Sequence, residues 1–409
     1  MVCPTGHLTT KKILRNTFIC VGALFALVRV LSAGTRDGVL NFGSAPLGGG
    51  IMTFDVPGAG TGPNQGTQAF CINPRETTAG GYIDASNVFH GFLRGNDNTF
   101  TPFDAPGAGT GPGEGTEAQS INVAGTVIGL YADQTAVFHG FVRVADGTIT
   151  PIDVAGAGTA PLQGTQAADI NTTGLITGFY IDSSNVAHGF VRATDGTITA
   201  TFDALGAGTG PGQGTFVNNV DCLNDAGTTV GDYLDASNVY HGFLRASDGT
   251  ITNFDAPCAG TAPNQGTECT GINETGTIPG TYIDTSNVNH GFVRATDGTF
   301  TTFDVPGAGT GSGQGTFAAN INALGAITGW YIDASSVSHG FLRSPDGTII
   351  ATFDAPGAGT GSGQGTFAYC NNGRDAITGY YLDSNNTWHG FLRAPQAIPR
   401  PRPTPPPRP

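Results

Sequence analysis

Apolar and polar residues alternate in short runs along most of this chain. Residues 299–343 show the pattern in four pieces: TFTTFD (299–304), GTFAANIN (315–322), AITGWYID (326–333) and VSHGFLR (337–343). Period-two alternation over four to eight residues, rich in Thr, Ile, Phe and Tyr, predicts β-strands. They are named here a, b, c and d. Ala323-Leu324-Gly325 separates b from c, Ala334-Ser335-Ser336 separates c from d, and Ser344-Pro345-Asp346-Gly347 leads to the next a. All three connections have hairpin length. The a-to-b link, Val305 to Gln314, is longer and rich in glycine. The block contains no helical periodicity.

The same block recurs through the chain. Its histidine returns as His90, His139, His188, His241, His290, His339 and His389, at steps of 49, 49, 53, 49, 49 and 50. A Phe/Ile-Asp marker returns at Asp55, Asp104, Asp153, Asp203, Asp255, Asp304 and Asp354, and precedes the next His by 35 residues except in the fourth unit, where the distance is 38. Unit 4 therefore carries three extra residues, near Asn218 to Asn224. A period of about 50 residues signals a repeat architecture. Three hairpins and one long link define an antiparallel sheet ordered b-c-d-a. The link crosses three inter-strand gaps, about 15 Å, which roughly ten residues can span. The expected fold is all-β: a seven-bladed β-propeller of four-stranded antiparallel blades. The last d ends at Arg393 with no a after it, and the first a ends at Asp55 with no d before it. Pairing these two ends closes the ring through the N-terminal strand. An open solenoid would leave both edges bare.

The string Ile-Asn-x-x-Gly-x-Ile-x-Gly-x-Tyr-x-Asp, then His-Gly-Phe-Leu-Arg, Asp-Gly-Thr and Phe-Asp-x-Pro-Gly-Ala, resembles the HAF-type bacterial extracellular repeat proteins. The resemblance spans about 51–394 and recurs in all seven units. It blurs at Pro74-Arg75 in unit 1 and at Asn371-Asn372-Gly373-Arg374 in unit 7. It implies secretion and a repeat fold, and no particular activity.

Charge narrows the partners. The 409 residues carry a net −14, and the span 50–395 holds nine Arg against thirty Asp and Glu, a net −21. Such a surface repels nucleic acid. Lysine occurs only at Lys11 and Lys12, so a Lys-containing phosphate loop is excluded. With 65 glycines and no three-residue period, the chain is not collagen-like. Lys11, Lys12 and Arg15 precede an apolar run from Thr17 to Val28, and small residues follow at Ser32, Ala33 and Gly34. Residues 1–34 thus read as a secretion signal, 35–50 as a short linker, 51–394 as the propeller and 395–409 as a disordered Pro/Arg-rich tail. The expected location is extracellular or on the cell surface. The alternative is a retained membrane anchor, but the run is shorter than the roughly 20 residues of a spanning helix. No membrane span is expected once the signal is removed.

Tyr331, Asp333, His339 and Arg343 look like a catalytic kit, yet every unit repeats the set. An enzyme needs one site, and histidines on third strands cannot converge on one metal. A structural hydrogen-bonded set within each blade is the simpler reading. The Asp-x-Ser-Asn turns offer oxygens to Ca²⁺, but Asp and Asn favour turns unaided; no cofactor or metal is otherwise expected. Function is sought where the repeats depart from one another. The third residue of b is Gln68, Glu117, Gln166, Phe216, Glu268, Phe317 or Phe367. The residue before the His is Phe89, Phe138, Ala187, Tyr240, Asn289, Ser338 or Trp388; the Asn and Ser imply partial exposure there. Trp388, Phe89 and Phe138 would form an aromatic arc once the ring closes, with Tyr240, Glu117 and Glu268 as further candidates on the face of the links and c–d turns. Local packing is the alternative. Five cysteines follow the leader. Cys258 and Cys269 flank one link and form the candidate disulfide; free buried thiols are the alternative. The leading function is a binding or scaffold protein for a glycan or extracellular protein. A polysaccharide hydrolase or lyase using Glu117 with Glu268 or Asp169 is the alternative, and a purely structural surface protein is the third reading.

Overall fold

The computed structural model describes residues 50–395. The expected signal, most of the linker and the tail lie outside them. Among the described residues the fold is all-β, a closed propeller-like ring. No helix among them is long and apolar enough to cross a membrane.

In unit 1, b is Gly66–Ile72, c is Thr78–Ile83, d is Phe89–Arg94 and a is Phe100–Phe103. They pair antiparallel in that order. The first strand, Ile51–Phe54, pairs antiparallel with the last, Trp388–Arg393, from Ile51↔Arg393 to Phe54↔Gly390. Neighbouring units are not hydrogen-bonded islands. A single parallel bridge joins the start of each d to the start of the next b, as between Phe89 and Gly115 or Trp388 and Gly66. These bridges merge all 28 strands into one hydrogen-bonded sheet, so the separation into blades is less sharp than the sequence implied.

The bridge explains an obligatory glycine. Gly66 has φ +116°, and a Cβ there would lie 2.0 Å from the Trp388 carbonyl oxygen. Only glycine accepts both that φ and that approach. The core explains another. Phe341, the aromatic of His-Gly-Phe, is fully buried. Gly329 on the adjacent c makes room for it, since a Cβ would come within 2.9 Å of the Phe341 ring. Each such ring contributes about 1.5–3 kcal/mol by leaving water, and one occurs in every unit.

The inner ends of the b strands are tied into a belt. Asn73 donates to the Asn122 carbonyl, Asn122 to Asn171, Asn171 to Asn224, and Asn372 back to Asn73, at 3.1–3.2 Å. That last bond spans 299 residues and carries the belt across the seam between the last unit and the first. Each Asn also accepts backbone N–H groups of its own b–c turn, as Asn73 does from Arg75 and Thr77. The Ile-Asn motif thus caps a turn and joins two units with one side chain.

Unit 4 departs from this plan. Its b shrinks to Gly214–Phe216, and the following residues enter the centre of the ring. Val220 packs with Cys71, Ile121 and Cys370 of units 1, 2 and 7. The Asp221 carbonyl accepts Ile272 N–H at 2.8 Å, and its carboxylate accepts Asn320 Nδ2. The insertion therefore plugs the central channel. The expected Cys258–Cys269 disulfide does not form. Cys269 is a free buried thiol, whereas Cys258 is disulfide-bonded. The physical reason is that Cys269 is sealed in the core with Phe243 and Phe292, while the Cys258 sulfur, at the positive-φ position of the link (φ 71°), is already engaged in its own bond.

Candidate functional site

The Gly-rich links lie on the c–d turns. Gln65 Nε2 donates to Asn87 Oδ1 at 3.0 Å and its Oε1 accepts Gly62 N–H. Thr67 Oγ1 accepts the Val56 N–H at the start of the link. Links and c–d turns therefore share one face, and the starts of the b strands open onto it.

On that face each His sits between two carboxylates. His339 Nδ1 is 2.8 Å from Asp354 and Nε2 is 3.6 Å from Asp333. Tyr331 stacks on the ring at 4.9 Å. Asp333 also accepts Ser335 N–H and Val337 N–H, shaping its own turn. The same geometry recurs in unit 5, where burial opposes the charge on His290 but is outweighed by the hydrogen bond and charge of Asp304 and by Asp284, so its pKa rises. Burial, with Asp304 and Asp284, pushes Tyr282 up to about 12. Arg343 does not join the set. Its guanidinium lies 4.7 Å over the ring of Phe303 in the neighbouring unit, a cation–π contact between units. The closer carboxylate partner, Asp354, is the Phe-Asp marker, which the sequence spacing flagged without assigning it to the His.

The variable residues scatter. Phe138 is buried among Leu130 and Ala132, and Tyr240 is buried against Phe216 and Leu234. Phe89 and Trp388 are half-buried. Asn289 and Ser338, expected to be partly exposed, are both buried; Asn289 is satisfied by donating to the Gln314 carbonyl at 2.9 Å. The exposed aromatic arc is therefore not formed as expected. Glu117 is buried and accepts from Gln119, and burial raises its pKa to about 7. Glu268 is half-buried and faces Asp232, whose pKa is raised first by burial and then by that neighbouring charge.

Another aromatic cluster takes the arc's place, spanning units 6, 7 and 1. Phe317 stacks on Trp330 at 5.4 Å with 9° between planes, and Trp330 stacks on Tyr369 at 5.4 Å. Tyr369 meets Tyr380 at 5.0 Å and Phe70 at 5.7 Å. Trp388 meets Tyr380 edge-on at 4.9 Å. Phe317, Trp330 and Trp388 are half-buried, so the cluster presents rings to solvent. Both tryptophans of the chain belong to it. Trp330 was missed in the sequence. The signal was a third variable column, the residue before the repeated Tyr: Gly81, Leu130, Phe179, Asp232, Thr281, Trp330 and Tyr380.

At the opposite end of the b strands, beyond the plug, a cavity of about 190 Å³ is bordered by the asparagine belt and by Asp221, Asp225 and Glu274. Asp225 accepts Thr172 N–H and its own N–H donates to Glu274. Inside the plug, Asp169 accepts Ser120 Oγ and Leu223 N–H, and burial together with Asp221 raises its pKa to about 7. Glu117, Asp169 and Glu268 do not line this cavity. Among the described residues no group of three acidic, His or Cys side chains is arranged for a metal.

No family model matches the chain. No curated protein matches it either. Solved structures similar to it include a puromycin hydrolase, at 13% identity and TM-score 0.43, covering 82% of this chain and 55% of that one. The BP39L lectin from Burkholderia pseudomallei is similar at 10% identity and TM-score 0.45, over 68% of this chain and 80% of that one. A six-bladed β-propeller lectin of Aleuria aurantia is similar at 12% identity and TM-score 0.31, over 81% and 95%. The chain spans about half the length of the puromycin hydrolase. With TM-scores this low, none of these likenesses carries a function to this chain.

Proposed function

We propose that this protein is a binding module that works outside the cell or on its surface. Its scaffold is a seven-bladed β-propeller, each blade a b-c-d-a sheet and the last completed by Ile51–Phe54. The sevenfold His, Asp and Tyr set holds turns and links in place. Recognition falls on the aromatic cluster at the link end of the inner strands. The observation that carries this reading is the half-buried stack of Phe317 and Trp330, joined through Tyr369 and Tyr380 to Trp388. Burying apolar rings contributes stability, so leaving three partly open to water in one place marks a surface for a partner. Flat rings with polar edges suit the face of a sugar or an apolar side chain of an extracellular protein. The net −21 carried over residues 50–395 disfavours polyanions.

The hydrolase or lyase alternative needs two carboxylates in one cleft. Glu117 is instead closed in by Gln119, and Asp169 by Ser120 and Leu223, which leaves the half-buried Glu268 without either as a second acid in an open cleft. That reading gains no support from the placement.

The chain has only two tryptophans, so its indole fluorescence reports on the cluster directly. Titration with a glycan panel, followed by the best hit against Trp330→Ala and Trp388→Ala, tests the proposal. One stacked ring contributes about 1–3 kcal/mol, which weakens binding about 5- to 150-fold when lost. A hit whose affinity ignores both substitutions moves the site elsewhere. A panel without any hit removes the glycan and leaves a protein partner.

A further inference from the structure

We propose that Cys71 and Cys370 form a disulfide that fastens the first inner strand to the last across the seam of the ring. The two residues are 299 positions apart in sequence, yet their sulfurs are 3.7 Å from each other. Ring closure alone brings them together. They occupy the same place in their units, sixth in b. The corresponding residues of units 2, 3 and 6 are Ser120, Asp169 and Asn320. Only at the seam do two cysteines meet at neighbouring positions.

The pair is held on both sides. Ile72 N–H points at Cys370 Sγ at 3.4 Å, and the adjacent belt bond runs from Asn372 to the Asn73 carbonyl. Val220, Ile72 and Ala376 pack around the sulfurs, and both cysteines are almost wholly buried. A covalent bond needs a sulfur separation of about 2.05 Å.

The oxidant is a low-molecular-weight disulfide, such as oxidised glutathione, of the kind present where secreted proteins fold. A thiolate of Cys71 attacks it, forming a mixed disulfide and releasing one thiol. The Cys370 thiolate then attacks the Cys71 sulfur and expels the second thiol. Two protein thiols lose two protons and two electrons, and one small disulfide becomes two thiols. The folded ring resists this reaction. The hydrogen bond to Cys71, then burial, raise the Cys370 pKa well above its ordinary value, so thiolate is scarce. The bond therefore forms as the ring closes and is shielded afterwards. It encloses nearly the whole repeat region, the loop length at which a cross-link restricts the unfolded chain most.

The test uses the full chain, refolded in a mixture of reduced and oxidised glutathione. Free thiols are alkylated and the non-reduced digest is mapped by mass spectrometry. The expected product is the Cys71 peptide joined to the Cys370 peptide. Reduction should then lower the melting midpoint by about 5 °C or more, and this extra sensitivity should vanish in Cys71→Ala, which leaves Cys258 untouched. Alkylation of both Cys71 and Cys370, or a link from either to Cys222, overturns the proposal. Should Cys71→Ala fail to fold, the peptide map of the parent decides alone.

Discussion

Glu117→Gln should make the protein more stable at pH 8 and leave it unchanged at pH 4. Glu117 is the third residue of b in unit 2, where units 1 and 3 carry Gln68 and Gln166. Its carboxyl is buried and hydrogen-bonded to Gln119. Burial raises its pKa from 4.5 to about 7. The folded state therefore binds more protons than the unfolded chain between these values. Stability attached to this group is complete below pH 4.5 and is lost as pH rises through about 7. The gap of about 2.5 units is worth about 3 kcal/mol at most, at 1.36 kcal/mol per unit. Glutamine matches the protonated form in shape, and its carbonyl still accepts from Gln119. A domain of this size shifts its midpoint by about 2 °C per kcal/mol. Glu117→Gln should then melt about 6 °C above the parent at pH 8, and within about 1 °C of it at pH 4. Differential scanning calorimetry at five pH values decides it. A gap that stays constant with pH would refute the reasoning, because the carboxyl would then not be the titrating group.

Two further outcomes follow from the same geometry. Removing residues 35–56 deletes Ile51–Phe54, the partner of Trp388–Arg393; the whole domain should melt earlier, and a midpoint equal to the parent's would place the closure elsewhere. His290→Ala strips Tyr282 of its stacked partner and Asp304 of its hydrogen bond, and should cost about 1–3 kcal/mol, toward the lower end because Asp304 is half exposed. Ligand binding should survive that substitution, and binding lost at unchanged stability would make the His functional. Because the His290 pKa is raised from 6.5, the stability it adds is complete below that value and fades above it, so the measured cost should shrink between pH 6 and pH 9.

Much of this architecture is written locally. The alternation in GTFAANIN and AITGWYID, the hairpin-length turns and the unmatched a and d ends already describe the strands and the joining of Ile51–Phe54 to Trp388–Arg393. These are period-two and chain-length arguments, and neighbouring residues settle them. That Tyr331, Asp333 and His339 come together within one unit was legible for the same reason, since residues facing one another in a hairpin are set by register; the ring stacking of Tyr331 on His339 and the placement of Arg343 over Phe303 were not. Other features depend on which units meet once the ring has closed. The three extra residues of unit 4 were visible as a count, but their inward path to Asn320 and the seam cysteines was not. Cys258 and Cys269 looked paired because they flank one link; Cys269 is instead sealed in the core, while Cys71 meets Cys370 across the seam. Asn289 and Ser338 looked exposed as polar residues, yet the neighbouring unit covers them. The aromatic cluster likewise draws on units 6, 7 and 1. One strand's sequence determines which face a side chain takes, whereas the curvature and closure of the whole sheet decide what that face meets.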